Sequence, residues 1–184
     1  MAAIDNFKSA LSHGGARPSL FKFDITTMGL TGAGGVTDIN LYCNVSAIPP
    51  LTVTPIEKQY FGRTVKIPGD IVYGDLATTV LNAEDYSIRN AIEAWMDHIN
   101  SHKENKGISD NSSWVTDGTL TQYGKSGSIL VQWDFFHMWP QTLTEIALSY
   151  DTASDIEQFD VTWAYNYYQM SGQGGAASLD EIQD

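Results

Sequence analysis

Five groupings in this sequence carry side chains that could do chemistry. His98 and His102 stand four apart, a spacing that on a helix sets two imidazoles on one face, ready for a single metal ion. No Glu follows His98, so the metalloprotease pattern is missing, and the last turn of a helix favours His on electrostatic grounds alone. Asp134 and His137, inside "WDFFHMW", could act as a base and its orienting carboxylate, yet no G-x-S-x-G nucleophile accompanies them. "GKSGS" at 124–128 looks like the end of a phosphate-binding loop. That motif requires glycine where Thr119 stands and a helix afterwards, whereas a strand pattern follows. Cys43 is the only cysteine, too few for a disulfide or a thiolate cluster, and within "INLYCNVSAI" it reads as a small core residue. The neighbouring carboxylates Glu84 and Asp85 sit where a helix N-terminus attracts negative charge. The expectation is therefore no catalytic residue, no cofactor site and no metal site.

Composition bounds what remains. A chain of 184 residues with 42% hydrophobic content can bury a core as one domain, expected over 1–170, with a Gly-rich acidic tail over 171–184 that has little to bury. No apolar run has the length of a secretory signal or a membrane span, so a soluble protein is expected. The formal net charge is −12, and all ten Lys and Arg lie at or before Lys125, while residues 128–184 hold nine acids and no Lys or Arg. Nucleic-acid affinity depends largely on cations that displace counterions, so tight nucleic-acid binding is disfavoured.

The elements that must position these residues are mostly extended. "LFKFDI" predicts a strand with Phe21, Phe23 and Ile25 on one face, joined through "MGLTGAGGVTD" to "INLYCNVSAI" as a hairpin. "IPPLTVTPIEKQYFG" reads as a long exposed loop, followed by strands at "RTVKI" and "DLATTVLN" joined around "PGDIVYG". From about Asp85 to Lys103 the apolar spacing becomes helical, with Ile88, Ile92, Trp95 and Ile99 on one stripe and Arg89, Glu93 and Asp97 turned away. Asn82 or Asp85 is placed to cap its start, and Gly107 to end it. Strands follow at "SILVQWDFFHMW" and "LTEIALSY". Last comes "QFDVTWAYNYY", where Phe159, Val161, Trp163, Tyr165 and Tyr167 alternate as the apolar face of one strand. Such a ladder serves a private core, a stacking platform for rings, or a surface that another subunit covers. From Ser128 onward there is no lysine, and Pro140 is the only proline, so the strand edges there lack the usual guards. Closing the sheets of several subunits into one barrel would remove such edges.

Several blocks carry a resemblance to a known family: "ARPSLF" (16–21), "GRTVKIPGD" (62–70), "TTVLNAED" (78–85) and "MWPQTLTEIALSYDTASDIEQFDVTWAYNYY" (138–168). The chain resembles the major tail tube proteins of contractile-tailed bacteriophages over most of its length. The Trp-Pro turn and aromatic strand of the last block are the most specific part. The resemblance implies a mainly β fold, a two-sheet sandwich or barrel with one flanking helix. It implies hexameric rings whose strands share an inner barrel, stacked inside a contractile sheath. The implied partners are further copies of the chain, the sheath, the baseplate and the tail terminator proteins, in a virion, with DNA passing through without tight binding. It also implies that the exposed segment from about Ser46 to Gly62 reaches the neighbouring ring. The Gly-rich stretch at 29–36 and the tail after Tyr168 are longer than the family pattern.

An acidic bore would keep DNA from adhering, which makes Asp134, Asp151, Asp155 and Asp160 candidates for its lining. Three rival readings stand beside this one. The tube of a phage-derived contractile injection machine would share the fold and deliver protein. A carbohydrate-binding β-sandwich would use Tyr165, Tyr167 and Tyr168 as stacking platforms. A metal-dependent hydrolase would use His98, His102 or His137.

Overall fold

The computed structural model describes residues 4, 9, 15–26, 39–104, 106–107, 114–150 and 156–172. Among them run β1 (Phe21–Ile25), the single-turn α1 (Ile39–Tyr42), β2 (Cys43–Ser46), β3 (Leu51–Tyr60), β4 (Arg63–Tyr73), β5 (Leu76–Leu81), α2 (Ser87–Ile99), β6 (Thr116–Tyr123), β7 (Ile129–Leu143), β8 (Gln158–Ala164) and β9 (Tyr167–Ser171). The stretch at 29–36, the candidates Asp151 and Asp155, and the tail beyond Gly172 lie outside the described residues. No described helix is long and apolar enough to cross a membrane.

β7, at 15 residues, belongs to two sheets at once. Its first part pairs β6 on one side and β9 on the other, and β6 in turn pairs β1. Its last part, Trp139–Leu143, pairs β8, which continues to β5 and β2. All these pairings are antiparallel. The change of sheet falls where the ladder shifts register and His137 takes a left-handed φ of 57°, a bulge that bends the strand and re-aims its faces.

The two sheets close on each other. Phe23 of β1 meets Trp163 of β8 at 6.1 Å between ring centroids, and Trp95 of α2 meets the same indole at 5.9 Å. Phe159, Val161 and Trp163, rungs of the aromatic ladder, are fully buried with Phe135, Leu76 and Val80. Each such side chain stabilises by about 1.5–3 kcal/mol, so the ladder serves the private core. It has three rungs, not five. The chain breaks at Tyr165–Asn166, where Asn166 N–H donates to the Phe136 carbonyl, and β9 resumes beside the other part of β7. The break moves Tyr168 to the core side and leaves Tyr167 stacked on Phe136 at 4.8 Å.

Five other expectations are corrected. "INLYC" is a helical turn ahead of the short strand β2, and β1 pairs β6 instead of forming a hairpin with it. "LTEIALSY" holds no strand after Leu143, because β7 runs straight through Pro140. α2 spans Ser87–Ile99, shorter than 85–103, with Tyr86 at its N-cap in a left-handed φ of 52°. Asp85 does serve that end by accepting from Ser87 N–H at 3.1 Å, whereas Asn82 is engaged elsewhere. Arg89 does not turn away: its guanidinium lies 5.3 Å from the Phe159 ring centroid and donates to the Thr144 carbonyl.

Candidate functional site

In "LTVTPIEKQYFGRTVKIPGDIVY" the expected loop is a strand, β3, while the expected strand at "RTVKI" is present and runs on through "PGDIVY" as β4. The two form one hairpin, and among the described residues its strands pair only with each other. Every residue of β3 is exposed, and β4 is exposed save at Gly69 and Tyr73. The ribbon nonetheless carries Leu51, Val53, Ile56, Val65, Ile67, Ile71 and Val72, each about half exposed. So much apolar surface on an arm outside the core marks a site of protein contact.

Three local devices shape the arm. At the tip, Phe61 and Gly62 have φ of 47° and 74°, the pair of positive values that a two-residue turn needs to match strand twist. Asn-Gly is the usual choice there. A bulky phenylalanine costs about 1–2 kcal/mol in that conformation, and this ring is 89% exposed. Midway, the register shifts between Val53↔Ile71 and Pro55↔Pro68, so Thr54 faces both Gly69 and Asp70. A Cβ on Gly69 would lie 2.6 Å from the Thr54 carbonyl oxygen, so only glycine fits.

At the root, Gly74 N–H donates to the Pro50 carbonyl at 2.9 Å, and the Tyr165 hydroxyl donates to the Gly74 carbonyl at 2.5 Å. Tyr73 packs edge-on against Tyr168 and Tyr165, which both contact Phe135. Burial raises the Tyr165 hydroxyl above the ordinary tyrosine range, which keeps it a neutral donor. Tyr165 and Tyr168 therefore anchor the arm to the body. They are not an open platform for sugar rings, and the carbohydrate-binding reading is overturned.

The other sequence candidates are dispersed. α2 ends before His102, which pairs instead with Asp97 at 3.4 Å, and no group of three His, Cys, Asp or Glu among the described residues could hold a metal ion. Asp134 accepts from Thr119, Gln132 and Ser171, while His137 sits at the bulge with its backbone N–H donating to Asp117. No hydrogen bond joins Asp134 to His137 among the described residues. "GKSGS" is the tight turn between β6 and β7, closed by Gly124 N–H to the Ser128 carbonyl. Cys43 is partly buried, and burial pushes its thiol up to about 12, far from a reactive thiolate. Asp160 accepts from Thr79 at 2.6 Å on the face of β8 turned from the core.

Sequence reasoning missed a second feature, a groove of about 580 Å³ between Ile146–Tyr150 and Ile156–Gln158. Leu148 is 78% and Ile156 69% exposed there. Its wall is held by Glu157, which accepts from Asn82 Nδ2 and from the Tyr86 hydroxyl, both at 2.9 Å. These bonds, Asn82's foremost, lower the Glu157 carboxyl below the usual range. A depressed carboxyl stabilises the fold above its unfolded pKa, and that contribution disappears as pH falls through the folded value. Thermal unfolding of Glu157→Gln should therefore lose less on acidification from about pH 5 to about pH 3 than the parent protein does. Parallel curves for the two proteins would show that the clamp contributes nothing.

A sandwich closed on its own core, with a 23-residue span of ribbon from Leu51 to Tyr73 cast free of it, is the architecture of a structural assembly module. Comparison with known proteins gives that class a family. The profile of the phage tail tube protein family matches residues 16–171, and the chain belongs to that family. It is 23% identical over 168 residues to tail tube protein gp19 of Enterobacteria phage T4, covering 90% of this chain and 99% of that one. The gp19 of phage T6 matches equally. Among solved structures, the sheath-tube complex of the PVC extracellular contractile injection system in its extended state is similar at TM-score 0.59 and 17% identity, over 90% of this chain and 97% of that one. The tube-terminating cap of the anti-feeding prophage is similar at TM-score 0.62 and 16% identity, over 86% and 92%.

Proposed function

We propose that this chain is the passive wall of a contractile tail: hexameric rings stack into a hollow tube inside a sheath, and viral DNA leaves through the bore. The observation that carries this reading is the hairpin, an arm of apolar residues that its own body does not cover and that a like copy would. Family membership supports the tube, and the likeness to a structure named for a sheath-tube complex supports a sheath as partner. The virion is the place of action, with baseplate and terminator proteins at the tube's ends and no membrane inserted. The role is structural, without catalysis. The domain is 1–170, and 171–184 is an appended tail.

Asp134 and Asp160 both stand on sheet faces turned from the core, and the acidic surplus faces the bore in part. There it repels phosphate and keeps DNA moving. A tube that delivers protein would share the fold; the phage relatives favour the virion.

Negative-stain imaging of the recombinant protein across concentrations tests the reading. Rings and tubes are the expected result, and a particle that stays monomeric throughout would overturn it.

A further inference from the structure

We propose that Asp24 and Asp134 make the outward face of the β1–β6–β7–β9 sheet inert to phosphate, by occupying the donors on that face that would otherwise catch a passing DNA backbone. Asp24 holds the critical donor, the ammonium of Lys22. The proposal rests on the tube reading and adds to it which face meets the cargo and which side chains keep that face from gripping it.

Register defines the face. Phe23, Leu120 and Trp133 stand opposite one another across β1, β6 and β7 and are buried, so by alternation the rows on either side of them turn outward. One outward row runs Lys22, Thr121, Gln132 and Ser171 from β1 to β9. The other runs Asp24, Thr119, Asp134 and Gln169. Every member is polar, and Lys22 is the only Lys or Arg in either row.

The donors in these rows are turned sideways into carboxylates of the same face. Lys22 Nζ lies 2.9 Å from Asp24 Oδ2, and Asn40 Nδ2 donates to the other oxygen of that carboxylate at 2.9 Å, which holds it in place. The hydrogen bond to Asp24 raises the Lys22 ammonium above the ordinary lysine range, as an opposite charge in contact does. Asp134 serves the neutral donors, accepting from Thr119 Oγ1 at 3.1 Å, Gln132 Nε2 at 2.8 Å and Ser171 Oγ at 2.9 Å. A hydroxyl has one proton to give, so neither Thr119 nor Ser171 can donate to a phosphate as well.

Lysine, hydroxyl and amide groups are what proteins use to hold a nucleic-acid backbone. Here they are already taken. Lys22 and Asp24 are 44% and 36% exposed, and an ion pair so placed adds little to stability. Its consequence lies in the field: a cation in contact with an anion is a short dipole, little of which is felt across a Debye length of about 10 Å. A charge neutralised in this way displaces few counterions from DNA. The other sheet turns Asp160 outward, bonded to Thr79, but β2, β5 and β8 contain no Lys or Arg that would need a mask.

Three variants, assembled into tubes and sedimented with a short DNA duplex, test the mask. Asp24→Asn keeps an acceptor for Asn40 and frees Lys22. Its tubes should hold the duplex about tenfold more tightly than parental tubes at about 50 mM salt, and the gain should vanish by about 200 mM. Asp160→Asn removes the same charge from the other sheet without freeing a cation, and should retain no more duplex than the parent. The double variant Lys22→Gln/Asp24→Asn has the parental net charge and should return to parental retention.

Equal gains from Asp24→Asn and Asp160→Asn would show that net charge governs adhesion and that there is no mask. A gain that persists in the double variant would clear Lys22 of any part in it, and no gain from Asp24→Asn would remove the proposal outright. If the parent protein formed no tube at all, the tube reading would fall and the mask with it, a result distinct from the other three.

Discussion

Replacing Trp163 with alanine is expected to remove about 3–5 kcal/mol of unfolding free energy, the largest loss from any one side chain here. The indole is fully buried and is the meeting point of three elements, touching Phe23 of one sheet and Trp95 of the helix from its place in the other sheet. Its Nε1–H donates to the Thr78 hydroxyl at 2.8 Å, and that hydroxyl in turn donates to the Val161 carbonyl at 3.4 Å. Truncation opens a cavity that rigid strands cannot collapse into and strips a buried hydroxyl of its donor. Trp163→Phe keeps most of the burial and loses the hydrogen bond, so it should cost less than half as much. Urea titration measures both. A loss below about 1 kcal/mol for the alanine variant would mean that the two sheets are not held together at this residue.

Gly69→Ala should abolish tube formation while leaving the melting temperature of the body within about 2 °C of the parent. An added Cβ meets the Thr54 carbonyl oxygen at 2.6 Å and Ile56 Cγ1 at 2.9 Å. Backbone cannot yield there without breaking the bulge that sets the register of the distal ribbon. The body is indifferent because, among the described residues, the strands of the arm pair only with each other. Gly118→Ala gives the opposite contrast: its Cβ would strike Met138 Cε at 2.5 Å. Met138 is fully buried in the core, so displacing it costs about 1–3 kcal/mol of stability and leaves the hairpin intact. Calorimetry and electron microscopy on the pair separate folding from assembly. Normal tubes from Gly69→Ala would show that the arm's register is irrelevant to stacking.

The parts of this protein most legible in its sequence are those whose periodicity is enforced by a single buried side. Ile88, Ile92 and Trp95 at helical spacing give α2, and Phe159, Val161 and Trp163 at strand spacing give β8. The hairpin was only half legible: "RTVKI" reads as the strand it is, whereas β3 was hidden because Pro49 and Pro50 before it and Pro55 within it punctuate it as a loop would be punctuated. Proline is excluded from strands only where its missing N–H would break a ladder, and both strands of a lone ribbon are edges. Pro55 and Pro68 even face each other across it. A helix-like spacing of His98 and His102 suggested a metal site only while the helix was drawn to Lys103. With its end at Ile99, His102 lies beyond the helix and meets Asp97 instead.

The sequence by itself determined that the chain builds a β-rich body with the amphipathic helix α2 and carries a strongly acidic C-terminal third. Those properties follow from residue type and local spacing. The tertiary structure alone decided which apolar residues the body keeps and which it offers outward. β7 changes sheets at His137, so the ladder is buried against partners more than a hundred residues away, such as Phe23. The Leu51–Tyr73 ribbon meets the body at Tyr73 and is otherwise exposed among the described residues. Alternation along a strand says that one face is apolar; it does not say what that face meets, because that depends on contacts remote in the chain.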